Sequence, residues 1–516
     1  MTTRTARFRG GQMEQSEPIA LVAFNAESKS EYDCACPDVP YVLGAQGVTK
    51  TEYDCACADE PFRLSLAQLD AIGVSSHHPA LHAPKMRLSP QLHTSALPCG
   101  YTLAFSPYAP AGPAVLNPQA LARLQSFNHP QPLEQAVDYT LATQNLLIPA
   151  GQPPKMEWGK VSTLTAWLHV TNDCNLDCPY CYVNKSNEQM SDETGRRVID
   201  AIFRSAEQSG FQEVKLKYAG GEAALHFDLV RRLHRYAQHL AGRKGLDLRA
   251  VILSNGTLWT PEMAAWLREN NVKLMVSLDG VGAAHDAMRP TRGGKGSFAQ
   301  IERTVDRVLI PAGIRPDISI TISGKNADAA ADAVEWAIER DLPFSLNFYR
   351  ENALSASNEA LRLEETRIIE GMRRAYRRVE KLAPTRPFLN GLLDRAQIDA
   401  HTHTCGVGQN YLVFTHTGAV SQCQMHLANG SPTANGVDPL MLVKHGAIPQ
   451  ISVEDKEGCQ DCVWRYRCTG GCPIETYRAT GRFDVKSPHC NIYTTLFPEA
   501  LRLEGLRLMK LEGLLG

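Results

Sequence analysis

Cys174, Cys178 and Cys181 stand in the stretch "DCNLDCPYCY" (residues 173–182), separated by three and then two residues. Thiols so closely placed on one segment suit a shared metal centre. Three thiolates can hold three irons of a 4Fe-4S cluster, whose full ligation takes four cysteines, and the remaining iron is then open to a substrate or cofactor. The same residues are compatible with a zinc site, which also uses Cys-x2-Cys, or with a buried cysteine pair and one bystander.

The other cysteines show how the chain is organised. Of the fifteen, Cys34, Cys36, Cys55 and Cys57 lie early, Cys99 stands alone, seven follow residue 404, and none falls between 182 and 404. The formal charge of -2 over 516 residues gives no global electrostatic signature of nucleic acid or an anionic membrane as a partner. No apolar run reaches the roughly 18 residues of a membrane span, and "MTTRTARFRGGQMEQ" lacks the apolar core of a signal peptide. A cytoplasmic protein is expected on these grounds. Disulfides are disfavoured in that compartment, so the cysteines read as metal ligands or catalytic thiols.

Residues 1–90 show little amphipathic periodicity and are expected to be loosely ordered. They hold a short repeat, "SEYDCACPDVP" at 30–40 and "TEYDCACADEP" at 51–61. A surface loop, an extra four-cysteine metal site and a substrate-like segment are all compatible with it. Residues 91–155 read as a small α+β module, with strands in "TLAFSP" and "PAVLNP" and then a helix capped by Asn117 with Pro118 at its first position.

From residue 156 to 350 strands and amphipathic helices alternate. Strands are expected at 164–170, 213–219, 248–254, 272–278, 317–323 and 344–349, with helices starting at Ser191 and at Thr260–Pro261. Six βα units predict an α/β fold: a parallel sheet curled into a partial (β/α)6 TIM-like barrel, with active residues at the C-terminal ends of its strands. The opening cysteines follow the first strand. Residues 351–400 are expected as a helical linker, and 401–516 as a Cys-rich domain.

The pattern Cys-x3-Cys-x-aromatic-Cys after a first strand, with Tyr180 as the aromatic, resembles the radical S-adenosylmethionine superfamily. The resemblance implies that Cys174, Cys178 and Cys181 ligate a 4Fe-4S cluster whose open iron is chelated by S-adenosylmethionine. It implies reductive cleavage to a 5'-deoxyadenosyl radical, which abstracts hydrogen from an unactivated carbon. "YAGGEAAL" (218–225) is similar to the family's GGEP motif, with Ala223 in place of Pro, which brings Gly220, Gly221 and Glu222 to the methionine amino group. "SNGTL" (254–258) is similar to the segment that contacts the ribose, through Ser254 and Asn255. "SLDGVGAAHDAMRPTRGGKGSF" (277–298) resembles the segment after strand four, placing Ser277 and one of Arg289 and Arg292 near the cofactor.

"CGVGQNYLVFTHTGAVSQC" (405–423), "CQDCVWRYRCTGGC" (459–472) and Cys490 resemble the SPASM domain, which holds two auxiliary 4Fe-4S clusters. The resemblance implies Cys459, Cys462, Cys468 and Cys490 on one cluster and Cys405, Cys423 and Cys472 on the other. Some relatives carry a further ligand six residues after the first cysteine, where Tyr411 stands here, so this second cluster can be open to a substrate thiolate. Structural zinc is the alternative for these seven. Where sulfatase-maturating relatives carry an aspartate base, after the cysteine matching Cys423, this chain has Gln424.

The family implies oxidative modification of a peptide or protein, including thioether or other crosslinks on a Cys-containing ribosomal peptide, with a flavodoxin or ferredoxin as reductant. Alternatives are maturation of a partner enzyme's subunit or of a sulfatase-type protein and, in another class, an iron-sulfur electron carrier or scaffold. Residues 100–150 are similar to winged-helix modules that bind leader peptides.

Overall fold

The computed structural model describes residues 84–109, 112–151, 156, 158–432 and 437–515, together with the backbone of Ala20–Val22. The cysteine repeat of 30–61 lies outside the described residues.

Among the described residues the N-terminal module has six short strands: β1 (Ala20–Val22), β2 (Met86–Leu88), β3 (His93–Ala96), β4 (Thr102–Phe105), β5 (Ala114–Leu116) and β6 (Leu147–Pro149). Four form an antiparallel sheet in the order β1-β5-β4-β3, while β2 pairs with β6. The helix Pro118–Ser126 starts where Asn117 Oδ1 accepts from Ala120 N at 2.8 Å, as an N-cap residue followed by proline should. Arg123 holds the buried Asp138 of the next helix, Ala136–Thr143, through bonds of 2.8 and 2.7 Å. One side of the module closes on its own core around Leu116, Phe127 and Leu141. The other side shares the main core: Phe105 stacks on Trp464 and meets Phe497 edge-on at centroid distances of 5.7 and 6.2 Å.

The central sheet runs through β7 (Thr163–Thr171), β8 (Glu213–Gly220), β9 (Asp247–Ser254), β10 (Val272–Ser277), β11 (Asp317–Ile322) and β12 (Phe344–Phe348), all parallel. These are the six expected strands. Period two decides what each buries: in β7, Leu164, Ala166, Leu168 and Val170 join the helix-covered core, while Trp167 joins a separate cluster with Tyr411, Val413 and Cys423. The helix Asp192–Ser209 is capped by Ser191, which accepts from Thr194 N, and ends at Gly210 with φ of 71°, the left-handed stop that glycine adopts at least cost.

Two features go beyond what periodicity shows. The sheet has eight strands, because β13 (Tyr411–Phe414) pairs in parallel with β7 and β14 (Val420–Ser421) pairs antiparallel with β13. The Cys-rich segment is thereby continuous with the barrel sheet. Residues 351–400, expected as a helical linker, do contain a helix, Glu365–Leu382, but its buried Ile368, Met372, Ala375, Tyr376 and Val379 belong to the main core. Its apolar stripe recurs every three to four residues, the spacing of a packed helix face. Among the described residues no helix is long and apolar enough to cross a membrane.

Candidate radical and iron-sulfur site

The loop after β7 carries Cys174, Cys178 and Cys181 and is fixed from both sides. Leu176 N and Val183 N point at Cys174 Sγ and Cys181 Sγ, each at 3.4 Å. Asp177 N donates to Pro290 O at 2.7 Å and Arg292 N to Asn175 O at 3.1 Å, which ties the loop to the segment after β10. Asn255 Nδ2 donates to Asn175 Oδ1 at 2.8 Å and approaches Cys174 Sγ at 3.9 Å. Burial pushes the Cys178 thiol up to about 12, against the pull of Arg289, and the neighbouring Cys181 and Cys174 add to the rise. The three thiols are therefore electrostatic neighbours, and a cation between them would take up the charge that their burial disfavours.

The paired glycines at the end of β8 are required by close backbone approach. A Cβ on Gly220 would sit 2.5 Å from Thr171 O, and one on Gly221 would sit 2.3 Å from Asp173 O. Gly221 N and Glu222 N donate to those two carbonyls at 2.7 Å each, fastening β8 to the start of the cysteine loop. Glu222 is 1% exposed. It accepts from Ala224 N (3.0 Å), Ser254 Oγ (2.8 Å) and Asn255 N (2.5 Å). Burial raises its pKa against those donors. A carboxylate offers about four lone-pair sites, so room for one further donor, such as an ammonium, remains. Ser254 Oγ in turn accepts from Gly256 N and Trp259 Nε1 at 3.0 Å each.

The two arginines are placed differently. Arg289 is buried, with Nε donating to Asp279 Oδ2 at 2.6 Å and its guanidinium 5.4 Å from the Tyr180 ring centroid. Arg292 is exposed and pairs with Asp173 Oδ1 at 3.0 Å. Ser277, half-buried, ends β10 in register with Ser319. Asp279 escapes single-residue reading, although it sits in the quoted "SLDGV". Wholly buried, it accepts from Tyr180 Oη, Arg289 Nε and Thr321 N, and so joins the cysteine loop, the arginine segment and β11.

The C-terminal cysteines fall into two sets. Burial pushes Cys423 up to about 12, with Cys472 and Cys405 adding to the rise. Cys468 is also pushed to about 12 by burial, with Cys462, Cys459 and Cys490 adding to the rise. Lys456 has cysteines of both groups, Cys459, Cys405, Cys468 and Cys472, as electrostatic neighbours. Among the described residues, no three His, Cys, Asp or Glu side chains close on a single-ion site.

A radical cluster and S-adenosylmethionine fit this donor set: three adjacent thiols, Glu222 with an acceptor position left, and Asn255 and Arg289 at neighbouring strand ends. The arrangement gathers thiols and hydrogen-bonding groups from β7 to β10 at one mouth of the barrel, where a bound group would be held on several sides.

Residues 168–337 match the Radical SAM superfamily. The chain is 29% identical to the uncharacterized protein MJ0907 of Methanocaldococcus jannaschii over 172 residues, 33% of this chain and 57% of that one. It is 26% identical over 357 residues to the AdoMet-dependent heme synthase of Nitratidesulfovibrio vulgaris, covering 64% of this chain and 92% of that one. It is 31% identical over 180 residues to the serine-type anaerobic sulfatase-maturating enzyme of Bacteroides thetaiotaomicron, covering 33% and 41% respectively. Among solved structures, native anSMEcpe with bound AdoMet superposes with a TM-score of 0.52 at 18% identity, over 68% of this chain and 99% of that one. That likeness is one of fold.

Proposed function

We infer that this chain, whose residues 168–337 form a radical SAM domain, is an oxidoreductase that modifies a peptide or protein substrate, forming a thioether or other crosslink on a Cys-containing peptide. The observation that carries the reading is the convergence of Cys174, Cys178 and Cys181 with Glu222, Asn255 and Arg289 on one barrel mouth, locked through Asp279 and the glycine pair. An electron carrier has no need of the second half of that constellation.

When bound, the iron-sulfur cluster and S-adenosylmethionine supply one-electron chemistry able to take hydrogen from an unactivated carbon. The chain's own residues do the rest. Cys174, Cys178 and Cys181 hold the cluster. Glu222, with Gly220 and Gly221 allowing the backbone to approach, takes the ammonium of S-adenosylmethionine. Arg289, oriented by Asp279, is the better placed of the two arginines to meet its carboxylate, since Arg292 faces solvent. Ser254 and Asn255 shape the ribose side, and Ser277 lines the same mouth. Tyr180 and the apolar walls exclude water.

Two auxiliary clusters, on Cys459, Cys462, Cys468 and Cys490 and on Cys405, Cys423 and Cys472, complete the reading. It is supported by the two electrostatic groupings. A flavodoxin or ferredoxin would serve as reductant. A peptide substrate is favoured by the sulfatase-maturating relative, whose name gives it a protein substrate. A second reading, a tetrapyrrole substrate, is favoured by the alignment along 92% of the AdoMet-dependent heme synthase.

The test is anaerobic incubation of the reconstituted protein with dithionite, S-adenosylmethionine and a Cys-containing peptide. Release of 5'-deoxyadenosine with a peptide lighter by two hydrogens is expected. A shifted Soret band with added porphyrin, and an unchanged peptide, would favour the second reading. No 5'-deoxyadenosine from fully loaded protein would leave the electron carrier.

A further inference from the structure

We propose that the indole N–H of Trp167 and the Nδ1 lone pair of His169 form a recognition pair for a peptide bond, holding one backbone amide of the substrate between the radical thiols and the set Cys405, Cys423 and Cys472. The proposal rests on the peptide reading of the proposed function and deepens it.

Trp167 and His169 stand two apart on β7, so they share a face and lie about 7 Å from one another along the strand. Leu164, Ala166, Leu168 and Val170 turn the opposite face to the helices, which leaves Trp167 and His169 on the inner side of the barrel. In the sheet Trp167 is flanked by Val413 and Lys217, and His169 by Ala219. The wall they form runs from one thiol site to the other. Cys423 packs in the same cluster as Trp167, His169 bonds Asn172 at the start of the loop that carries Cys174, and Tyr182 has both Cys181 and Cys423 as electrostatic neighbours.

Each ring has a polar atom still to be matched. Trp167 is 7% and His169 1% exposed, and Trp167 Nε1 and His169 Nδ1 have no hydrogen-bond partner among the described residues. Asn172 sets the tautomer of His169. Its Nδ2 donates to Ser186 Oγ and Glu188 Oε2 at 3.2 Å each, so its Oδ1 accepts from His169 Nε2 at 2.8 Å. Nδ1 is then an acceptor, and burial, which lowers the ring to about 4, keeps it one at neutral pH. A buried polar atom left without a partner costs free energy, so a donor and an acceptor on one wall select a ligand that carries both. A carboxylate offers acceptors only and leaves Nδ1 unmatched. A hydroxyl or thiol offers both from a single atom and does not span about 7 Å. A trans amide carries its C=O and its N–H on opposite sides; the first meets Trp167 and the second His169.

The experiment uses the reconstituted full chain loaded with S-adenosylmethionine and measures binding by anaerobic equilibrium dialysis. Its probes are 3-mercapto-N-methylpropanamide and methyl 3-mercaptopropanoate, which carry the same thiol and carbonyl and differ in one N–H. The parent chain should bind the amide about tenfold more tightly than the ester, the scale of one hydrogen bond. His169→Phe should bind both alike, at the level of the ester. Trp167→Phe, which keeps the ring and loses the N–H, should weaken both by a similar factor and keep the preference for the amide. Equal binding of the two probes by the parent, or a preference kept in His169→Phe, would overturn the recognition pair and leave the peptide reading standing. No saturable binding of either probe would remove the peptide reading and this site with it. The preference of the parent is read without any substitution, so a variant that fails to take up iron does not remove the test.

Discussion

Asp279 Oδ2 lies 2.6 Å from Arg289 Nε, inside the protein, with the carboxylate fully buried. The same carboxylate receives the Tyr180 hydroxyl through Oδ2 and Thr321 N through Oδ1. One side chain thus sets the position of the aromatic between two candidate cluster ligands and of the arginine proposed to face the cofactor carboxylate.

Asp279→Ala should therefore destabilise the protein by about 3–5 kcal/mol, the usual cost of leaving a buried charge without its partner. Chemical unfolding measures that. Asp279→Asn keeps the shape and an acceptor while removing the charge, so it should cost less in stability but still weaken S-adenosylmethionine binding severalfold. An unchanged affinity in Asp279→Asn would show that Arg289 orientation is set elsewhere.

Gly221→Ala tests the backbone approach after β8. The added Cβ would lie 2.3 Å from Asp173 O and 2.7 Å from Asn172 O, both backbone atoms that cannot swing aside. The cysteine loop has to move. Reduced iron loading at the radical cluster and loss of 5'-deoxyadenosine formation are expected, with normal iron on the C-terminal sets. Gly242→Ala, where nothing lies within 4 Å of the added carbon, is the control and should behave as the parent.

A third expectation concerns acid. Burial lowers His285 from 6.5 to about 4, with Asp279 opposing and Arg289 assisting. Its Nδ1 accepts from Asp279 N at 3.2 Å, and its Nε2 meets Ser297 Oγ at 3.1 Å, whose hydroxyl donates to Arg289 O at 2.6 Å. The folded state keeps the ring neutral while the unfolded chain protonates it near 6.5. Stability from this site is therefore complete above about pH 6.5 and is lost as pH falls toward 4, at up to about 1.4 kcal/mol per pH unit between those values. His285→Gln should flatten that slope in urea unfolding measured from pH 7.5 to 4.5. An identical slope would assign the acid sensitivity to other buried histidines such as His234, which is also lowered to about 4 by burial.

Much of this was legible in the sequence because it is local. The strand pattern of β7–β12 and the caps at Ser191 and Thr260 are short-range signals, and each falls where the sequence puts it. What was not legible depends on long-range pairing. That β13 would extend the barrel sheet follows from four residues in register with Thr165–Leu168, and four residues carry too little periodicity to name a partner. Asp279 as a hub, and the burial of the helix Glu365–Leu382, likewise become visible only when distant segments are brought together. Arg289 and Arg292, close in the sequence, differ in burial, the first enclosed with Asp279 and the second exposed beside Asp173.

The last prediction separates the thiol sets. Cys178 has Arg289, Cys181, Asp279 and Cys174 as its electrostatic neighbours, whereas Cys468 has Cys462, Cys459 and Cys490. The two environments share no thiol, so damage to one should stay local. A fully reconstituted parent chain should hold about twelve irons if each of three clusters carries four. Cys178→Ala should lower that to about eight and abolish S-adenosylmethionine cleavage, because the loop loses a ligand that neither neighbour can replace. Cys468→Ala should remove a similar amount of iron from the C-terminal set while S-adenosylmethionine cleavage by dithionite-reduced protein persists without substrate. Product formation on the peptide should then fail, as the proposed role of the auxiliary clusters toward the substrate requires. Retained 5'-deoxyadenosine production in Cys178→Ala would show that the radical centre had been placed on the wrong thiols, and its loss in Cys468→Ala would show that the sets are not independent.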